Sequence, residues 1–358
     1  MRVLFLSAYS ELAASSRTRV YAYFPFLEKK GIGFRCICFS PKYLHNFASK
    51  HPAFFYKVAY LFISSLGKFI KIFQALALAK SYDIVFIQKI LFPLGLEKIL
   101  KFFNPNIIFD FDDAIFTSPK IATDFWGKIK IYFQNKYFFN TLSAASCCIV
   151  ENEYNKKIAL RACSWVEIIT GPIDTEKYFV KGKKENERIV IGWTGSYSTT
   201  KYLLEIKDVL RNISEKHDVI FRFIGADPVI GKVIKCDIKQ WSLEEEVLLV
   251  QTFDIGLMPL PDDDWTRGKG GYKLLQYMAS GIPAVASPVE INKEIIKDGE
   301  NGYLASNTRE WEEKLSLLVQ DCSLRMSMGK NARLAMERNY SLIAAADKLS
   351  NIFETILK

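Results

Sequence analysis

FDIGLMPLPDDDWTRGKGGYKLLQYMASGIPAVAS, residues 253–287, reads as a strand, a charged loop, a helix, a tight turn and a second strand. DIGLMPL is a short apolar run closed by Pro259 and Pro261. KLLQYMA sets Leu274, Leu275, Met278 and Ala279 on one helical face, and Gly281 stops the helix before the apolar run IPAVAS. Between strand and helix lie Arg267, Gly268, Lys269, Gly270, Gly271, Tyr272 and Lys273. Glycines bring backbone close to a ligand, a helix start offers N–H groups, and cations surround them, a combination that suits an anion. An ordinary strand-helix-strand unit with a solvated loop fits the same residues.

The same grammar recurs upstream. Ile189 to Gly192 is a strand, and Gly195, Ser196 and Lys201 sit in the small-residue loop that follows, ahead of a helix from about Thr200 to Glu215. Val219 to Ile224 is another strand, and one more is expected around Val233 to Ile238. After the opening stretch, Asp298 to Tyr303 turns into a short strand, and helices run on to Lys358, the last two separated by Tyr340-Ser341. Upstream of this set, Gly171-Pro172 breaks the pattern, and Lys181-Gly-Lys-Lys-Glu-Asn-Glu-Arg188 is a charged bridge. The expected domains are therefore 1–180 and 181–358.

The first half repeats strand, small-residue loop and helix. Arg2 to Ala8 leads into Ser15 and Ser16, either of which suits a helix cap, with Arg17 and Arg19 in the first turn. Cations there oppose the helix dipole, so either a phosphate accompanies Ser16, Arg17 and Arg19 or the two arginines are solvated. The cationic, aromatic segment from Lys42 to Lys80 tempts a membrane-spanning reading. Lys57, Lys68 and Lys71 cut it into pieces shorter than the ~20 residues a bilayer requires. A core-packing helix pair is expected, or an amphipathic surface that touches anionic lipid. The stretch Asn106 to Phe116 places Asp110, Asp112 and Asp113 on and just beyond a strand's C-terminal end, where open α/β sheets hold ligands. A polar-faced helix is expected from about Asp124 to Leu142.

The totals permit two domains in 358 residues and describe a soluble globular chain. Forty-eight Lys+Arg against 39 Asp+Glu, a net +9, suits an anionic small molecule, nucleic acid or anionic membrane. The seven cysteines include no CxxC pair and the three histidines lack zinc-ligand spacing. Reduced thiols in a cytoplasmic protein are expected, with no secretion signal. Nucleic-acid binding lacks an aromatic-basic array on a recognisable module.

In this order, IGWTGSYSTTKYL, FDIGLMPLPDDDWTRGKGGYKLLQYMASGIPAVAS and SPVEINKEIIKDGENGYLA resemble the retaining glycosyltransferases of family 4. In the first half SSRTRVYAY, FDFDDAIF and the passage from ENEYNKKIA to GPIDTEKYF are similar to the same family. The resemblance implies an α/β GT-B fold: two Rossmann-like domains facing each other across a cleft, the last helix able to pack back on the first. It implies metal-independent transfer of a sugar, with retention, from a UDP or GDP sugar bound mainly by the second domain. The acceptor, a glycan or lipid-linked glycan bound mainly by the first domain, fits bacterial surface polysaccharide synthesis at the inner membrane face.

As implied by this resemblance, Lys201 and Lys273 act in catalysis with Asp112 or Asp113. Gly195, Ser196, Arg267, Lys269, Gly270, Gly271, Tyr272 and Gln276 bind the donor. Relatives often carry two glutamates where this chain has Gly268 and Gln276. Gln276 can still bond a ribose hydroxyl. It also removes a repulsion of ~2 kcal/mol, taking ~8 Å and an effective dielectric of ~20. Two other classes remain open: a catalytically silent sugar-nucleotide or membrane-surface binder, and a phosphatase of the haloacid-dehalogenase type using Asp110 and Asp112.

Overall fold

The computed structural model describes residues 1–40, 54–117, 125–180, 182 and 188–358, and in the helix Phe54–Ala79 the side chains from 66 onward. They form two compact units, Met1–Thr170 with Ala345–Lys358, and Gly171–Ala344. The division falls at Gly171 rather than at 181. Ile173 and Tyr178 pack into the second core, and Ile173 pairs with Ser341, so these residues belong to the second unit. Most of the expected charged bridge, 181 and 183–187, lies outside the described residues.

The first unit holds β1 (Arg2–Tyr9), β2 (Gly33–Ser40), β3 (Ile84–Gln88), β4 (Ile107–Phe111), β5 (Cys147–Val150) and β6 (Val166–Ile168). They pair in parallel in the order β2-β1-β3-β4-β5-β6. Residues 84–88 and 107–111 are buried throughout, as expected of strands covered by helices on both faces. One face packs Leu4, Val85 and Phe109 against the helices Phe54–Ala79, Leu96–Phe103 and Phe125–Ala144. On the other face Phe5 and Phe86 sit 5.0 Å apart, each 6.4 Å from Phe353 of the last helix.

Two expectations for this unit change. The segment expected to be a helix pair is one helix from Phe54 onward, its beginning, 42–53, lying outside the described residues. Among the described residues no helix is long and apolar enough to cross a membrane. The helix expected to be polar-faced, Phe125–Ala144, instead exposes Phe125, Trp126, Tyr132 and Phe133, because only its C-terminal half meets the core.

The second unit holds β7 (Ile189–Thr194), β8 (Val219–Ile224), β9 (Asp237–Lys239), β10 (Ile255–Met258), β11 (Ala284–Ala286) and β12 (Tyr303–Leu304). They are parallel in the order β12-β11-β10-β7-β8-β9. β9 begins at Asp237, not near Val233. Asp227 accepts from Val229 N at 2.9 Å and starts a 3-10 turn over Pro228–Lys232, and Val233 N and Ile234 N both donate back to Ile230 O at 3.0 and 2.9 Å, so the expected strand's first residues close that turn instead. The helix expected from Thr200 to Glu215 breaks at Ile206 into Lys201–Glu205 and Lys207–Lys216.

Candidate active site

In the second unit β7 and β10 are neighbours, Ile191 opposite Ile255 and Gly192 opposite Gly256. β8 and β9 extend one edge and β11 and β12 the other, so the strand order reverses between β7 and β10. Open α/β sheets bind ligands outside the carboxyl ends of their strands at such a point. Both loops singled out in the sequence leave from it, Gly195-Ser196 after β7 and the stretch from Pro259 after β10.

After β7 the chain turns tightly over a buried ring. A Cβ on Gly195 would collide with the Trp193 indole, so only glycine lets the loop close over it. Ser196 and Thr199 form a reciprocal cap around Tyr197–Thr199, and Lys201 opens the next helix. After β10, Asp263 accepts from Thr266 N at 2.7 Å and caps a short helix, Asp264–Arg267. Arg267 Nε donates to Asp262 Oδ1 at 2.7 Å and Nη1 to Asp264 Oδ1 at 3.3 Å. Those aspartates are therefore a cap and two partners of Arg267, and the guanidinium expected at the donor is engaged within its own loop.

Gly268 to Gly271 then lead into the helix Tyr272–Ala279. Gly271, its cap residue, has φ +67°, and a Cβ there would come within 2.8 Å of Ile295 Cδ1. We expect Gly271→Ala to cost more than about 1 kcal/mol in urea unfolding; a loss below that would remove the backbone requirement.

Three cations of these loops each lie over an aromatic ring. Lys201 Nζ is 5.0 Å from the Tyr202 ring centroid, Lys269 Nζ 5.4 Å from that of Trp265, and Lys273 Nζ 5.6 Å from that of Trp193. Trp193 is buried. The helix Tyr272–Ala279 has no acidic residue in its first turn, so Lys273 adds positive charge to the positive end of the dipole. Burial and Asp263 raise the Glu205 carboxyl, with Lys201 offsetting them, which gathers Lys201, Glu205 and the capping aspartate in one neighbourhood. Beside it an open cavity of about 470 Å³ lies at the carboxyl ends of these strands, lined among others by Glu205, Pro259, Asp262, Ser287, Asn307 and Trp311.

Gln276 is not placed for a ribose. It is buried, and its Nε2 donates to Tyr178 Oη at 2.7 Å. Tyr178 Oη donates to Glu246 Oε2 at 3.0 Å, and Trp241 Nε1 donates to Glu246 Oε1 at 2.9 Å. Burial, Tyr272 and Glu246 hold the Tyr178 phenol well above its usual range, so it stays a donor. The chain joins segments distant in sequence within one core. Tyr178→Phe is expected to cost about 1–3 kcal/mol by leaving the Gln276 amide and Glu246 short of partners; an unchanged melting temperature would contradict this.

In the first unit the strand order reverses between β1 and β3. Gln88, the last residue of β3, ties that point together. Its Oε1 accepts from Ser16 Oγ at 2.9 Å and Ala8 N at 3.1 Å, and its Nε2 donates to Ser15 Oγ at 2.8 Å. Ser16 is thus buried in a structural contact and neither caps its helix nor meets solvent; the cap residue of Ala14–Arg19 is Ala13. Arg17 Nη1 donates to the carbonyls of Glu11 and Leu12, each at 3.3 Å.

Arg19 likewise leaves the phosphate role. It is 1% exposed, its Nε donating to Asp110 Oδ1 at 3.0 Å and its Nη1 to Glu151 Oε1 at 2.8 Å, while Nη2 also meets Asp110. Burial pushes the guanidinium down, but the two carboxylates more than offset it and hold it charged. Two carboxylates share this one cation. Burial raises Asp110 to about 6, Arg19 opposing the shift. A raised carboxyl binds its proton more tightly when folded. Its contribution to stability is therefore complete below the unfolded value of 3.8 and is lost as pH rises through about 6.

Asp112 and Asp113 point to a residue the sequence reading passed over. Lys89 Nζ lies 2.6 Å from Asp113 Oδ2, to which it donates, and 2.7 Å from Asp112 Oδ1 without hydrogen-bond alignment. Burial lowers the ammonium, but Asp112 and then Asp113 more than compensate, so it stays charged. Lys89 has φ +58°, a conformation that costs a non-glycine residue of order 1 kcal/mol and clusters at functional sites. Lys89→Met is expected to cost about 1–3 kcal/mol by removing the cation that Asp112 and Asp113 share, with Lys89→Arg recovering part of the loss; an unchanged melting temperature would contradict this.

Residues 264–335 match the family described as Glycosyl transferases group 1. Over 80 residues, 22% of this chain and 21% of the relative, the sequence is 30% identical to spore coat protein SA of Bacillus subtilis. It is 23% identical to N-acetyl-alpha-D-glucosaminyl L-malate synthase of Bacillus anthracis over 207 residues, 53% of each chain. The curated relatives are thus matched over 21% to 53% of their own length. Against Anabaena HepE, solved in complex with UDP and glucose, the TM-score is 0.67 at 13% identity, covering 99% of this chain and 100% of that one. The fold is GT-B.

Within this GT-B chain, the sequence singled out the loops after β7 and β10 one by one, and the sheet order makes them neighbours; the structure places Ser16, Arg19 and Gln276 in contacts other than those expected. Lys89 and Gln88 did leave a signal, as the first polar residues to end the apolar run from Ile84 to Ile87. Tyr178 left none, since its partners lie far along the chain.

Proposed function

We propose that this protein is a glycosyltransferase that moves a sugar, with retention and without a metal, from a UDP or GDP sugar to a glycan or lipid-linked glycan. The observation that carries the reading is the convergence of the β7 and β10 loops, with Lys201 and Lys273, at the reversal of strand order. The match of residues 264–335 to glycosyl transferases group 1 and a structural neighbour solved with UDP and glucose support it. As the bond from the anomeric carbon to the diphosphate breaks, charge grows on the leaving oxygen, and fixed cations and N–H groups stabilise it. Lys273, Lys201, Lys269 and the backbone of Gly270, Gly271, Tyr272, Gly195 and Ser196 supply them. Asp112 and Asp113, paired with Lys89, are assigned to the acceptor hydroxyl. The departing phosphate can itself take the acceptor proton, so no dedicated base is required. The assigned setting is surface polysaccharide synthesis in the cytoplasm, at the inner membrane face.

A phosphatase built on Asp110 does not fit, because that carboxylate is buried and clamped by Arg19. Incubation with labelled UDP and GDP sugars and a lipid extract tests the proposal. Label entering the lipid or glycan fraction, with the anomeric configuration of the donor, is expected. Nucleotide binding without transfer in any fraction would leave the silent-binder reading instead.

A further inference from the structure

The helices Phe54–Ala79, Leu96–Phe103 and Phe125–Ala144 pack Ile72, Leu100 and Phe138 onto the same face of the first sheet, so they form one layer with a common outward side. That side is not polar. Leu66, Phe69, Ile70 and Phe73 recur at helical spacing and all are exposed, Ile70 by 60%. The helix therefore has a second apolar stripe, separate from its buried one, that faces out. Phe102 is 82% exposed on the next helix and Trp126 75% on the third.

Charge on the layer has a single sign. Lys68, Lys98, Lys101, Lys128, Lys130 and Lys136 are exposed. The three helices contain one acidic residue, Glu97, and it is buried. Aromatic and aliphatic side chains that enter the headgroup region, flanked by lysines that meet lipid phosphates, are the chemistry of an interfacial membrane surface. Two copies of this chain meeting here would oppose lysine to lysine, which disfavours a symmetric dimer.

We propose that the outward side of this three-helix layer docks the protein on an anionic phospholipid bilayer. It lies on the interface without spanning it. The inference deepens the proposed function, on which it rests only in taking the membrane as the side from which a lipid-linked acceptor arrives.

Flotation of the full chain with phosphatidylcholine vesicles, with and without phosphatidylglycerol, tests it. The protein is expected to float with the anionic vesicles and to lose that binding in high salt. Lys128→Glu/Lys130→Glu should weaken it by about fivefold or more for each lysine removed. Phe69→Ser/Phe73→Ser and Trp126→Ser should weaken it by about tenfold while leaving the melting temperature unchanged, since these side chains are exposed. No flotation with either vesicle, or aromatic variants that float like the wild type, would overturn the proposal. So would a concentration-dependent dimer dispersed by Phe69→Ser/Phe73→Ser, or oligonucleotide binding in place of vesicle binding. Nucleoside diphosphate titration on the same samples separates the two readings: nucleotide binding without flotation removes the membrane surface alone, and flotation without nucleotide binding removes the transferase alone.

Discussion

Lys273→Ala is expected to lower the rate of sugar transfer by about 100-fold or more while the protein keeps its fold. Lys273 sits in the first turn of the helix that follows Gly271, a turn with no acidic residue of its own, and the dipole adds to its charge. Its ammonium is held over the buried Trp193 ring at the end of β7, beside the strand that feeds its own loop. A cation fixed in this way is placed before charge develops on the leaving diphosphate, so its removal should lower kcat in addition to weakening nucleotide binding. Lys201→Ala should behave similarly but more mildly, because Lys201 lies exposed in a neighbourhood shared with Glu205. Single-turnover transfer of labelled sugar measures both. A Lys273→Ala enzyme within about threefold of wild type would take Lys273 out of the reaction, and recovery in Lys273→Arg would show that charge is the requirement.

The second large effect concerns stability. Arg19→Ala is expected to cost about 3–5 kcal/mol, because Asp110 and Glu151 would be left buried without their shared cation. For a unit of this size that corresponds to a fall in melting temperature on the order of 10 °C. The combined Arg19→Met/Asp110→Leu/Glu151→Leu protein should recover most of the loss, since a buried ion cluster contributes little beyond an apolar replacement of similar volume. Asp110→Asn should also flatten the stability profile between about pH 4 and pH 6, the window in which the raised carboxyl titrates. Thermal melts across that range decide the matter. A melting temperature for Arg19→Ala within 2 °C of wild type, taking ~1 kcal/mol as ~3 °C, would contradict the structural role.

These expectations show where the sequence was legible. Strands such as Ile84–Gln88 and Ile255–Met258 are apolar runs bounded by turn residues, and their pattern sufficed for two parallel sheets. The donor-side loops were legible for a similar reason, as glycine, hydroxyl and lysine residues concentrated between a strand and a helix. Side-chain commitments were not. Arg19 looked like a phosphate ligand because its carboxylate partners, Asp110 and Glu151, lie 91 and 132 residues away. Gln276 looked like a ribose ligand because its position matches a glutamate of similar proteins, whereas its amide is fixed by Tyr178, 98 residues earlier. The aspartates from Asp262 to Asp264 cap or pair with residues within five positions, contacts that the charged loop's composition does not announce. Periodicity identifies elements; only the packed fold decides which polar groups remain for a ligand.

The central claim is that the β7 and β10 loops hold the diphosphate of a nucleotide sugar. Isothermal titration of the full chain with UDP, GDP and their sugars tests it most directly. We expect one nucleoside diphosphate to bind with one site per chain, with affinity reduced by about tenfold or more in Lys201→Ala and Lys273→Ala and preserved in Lys128→Glu/Lys130→Glu. Absence of binding across the whole panel, or binding that neither loop lysine affects, would contradict it.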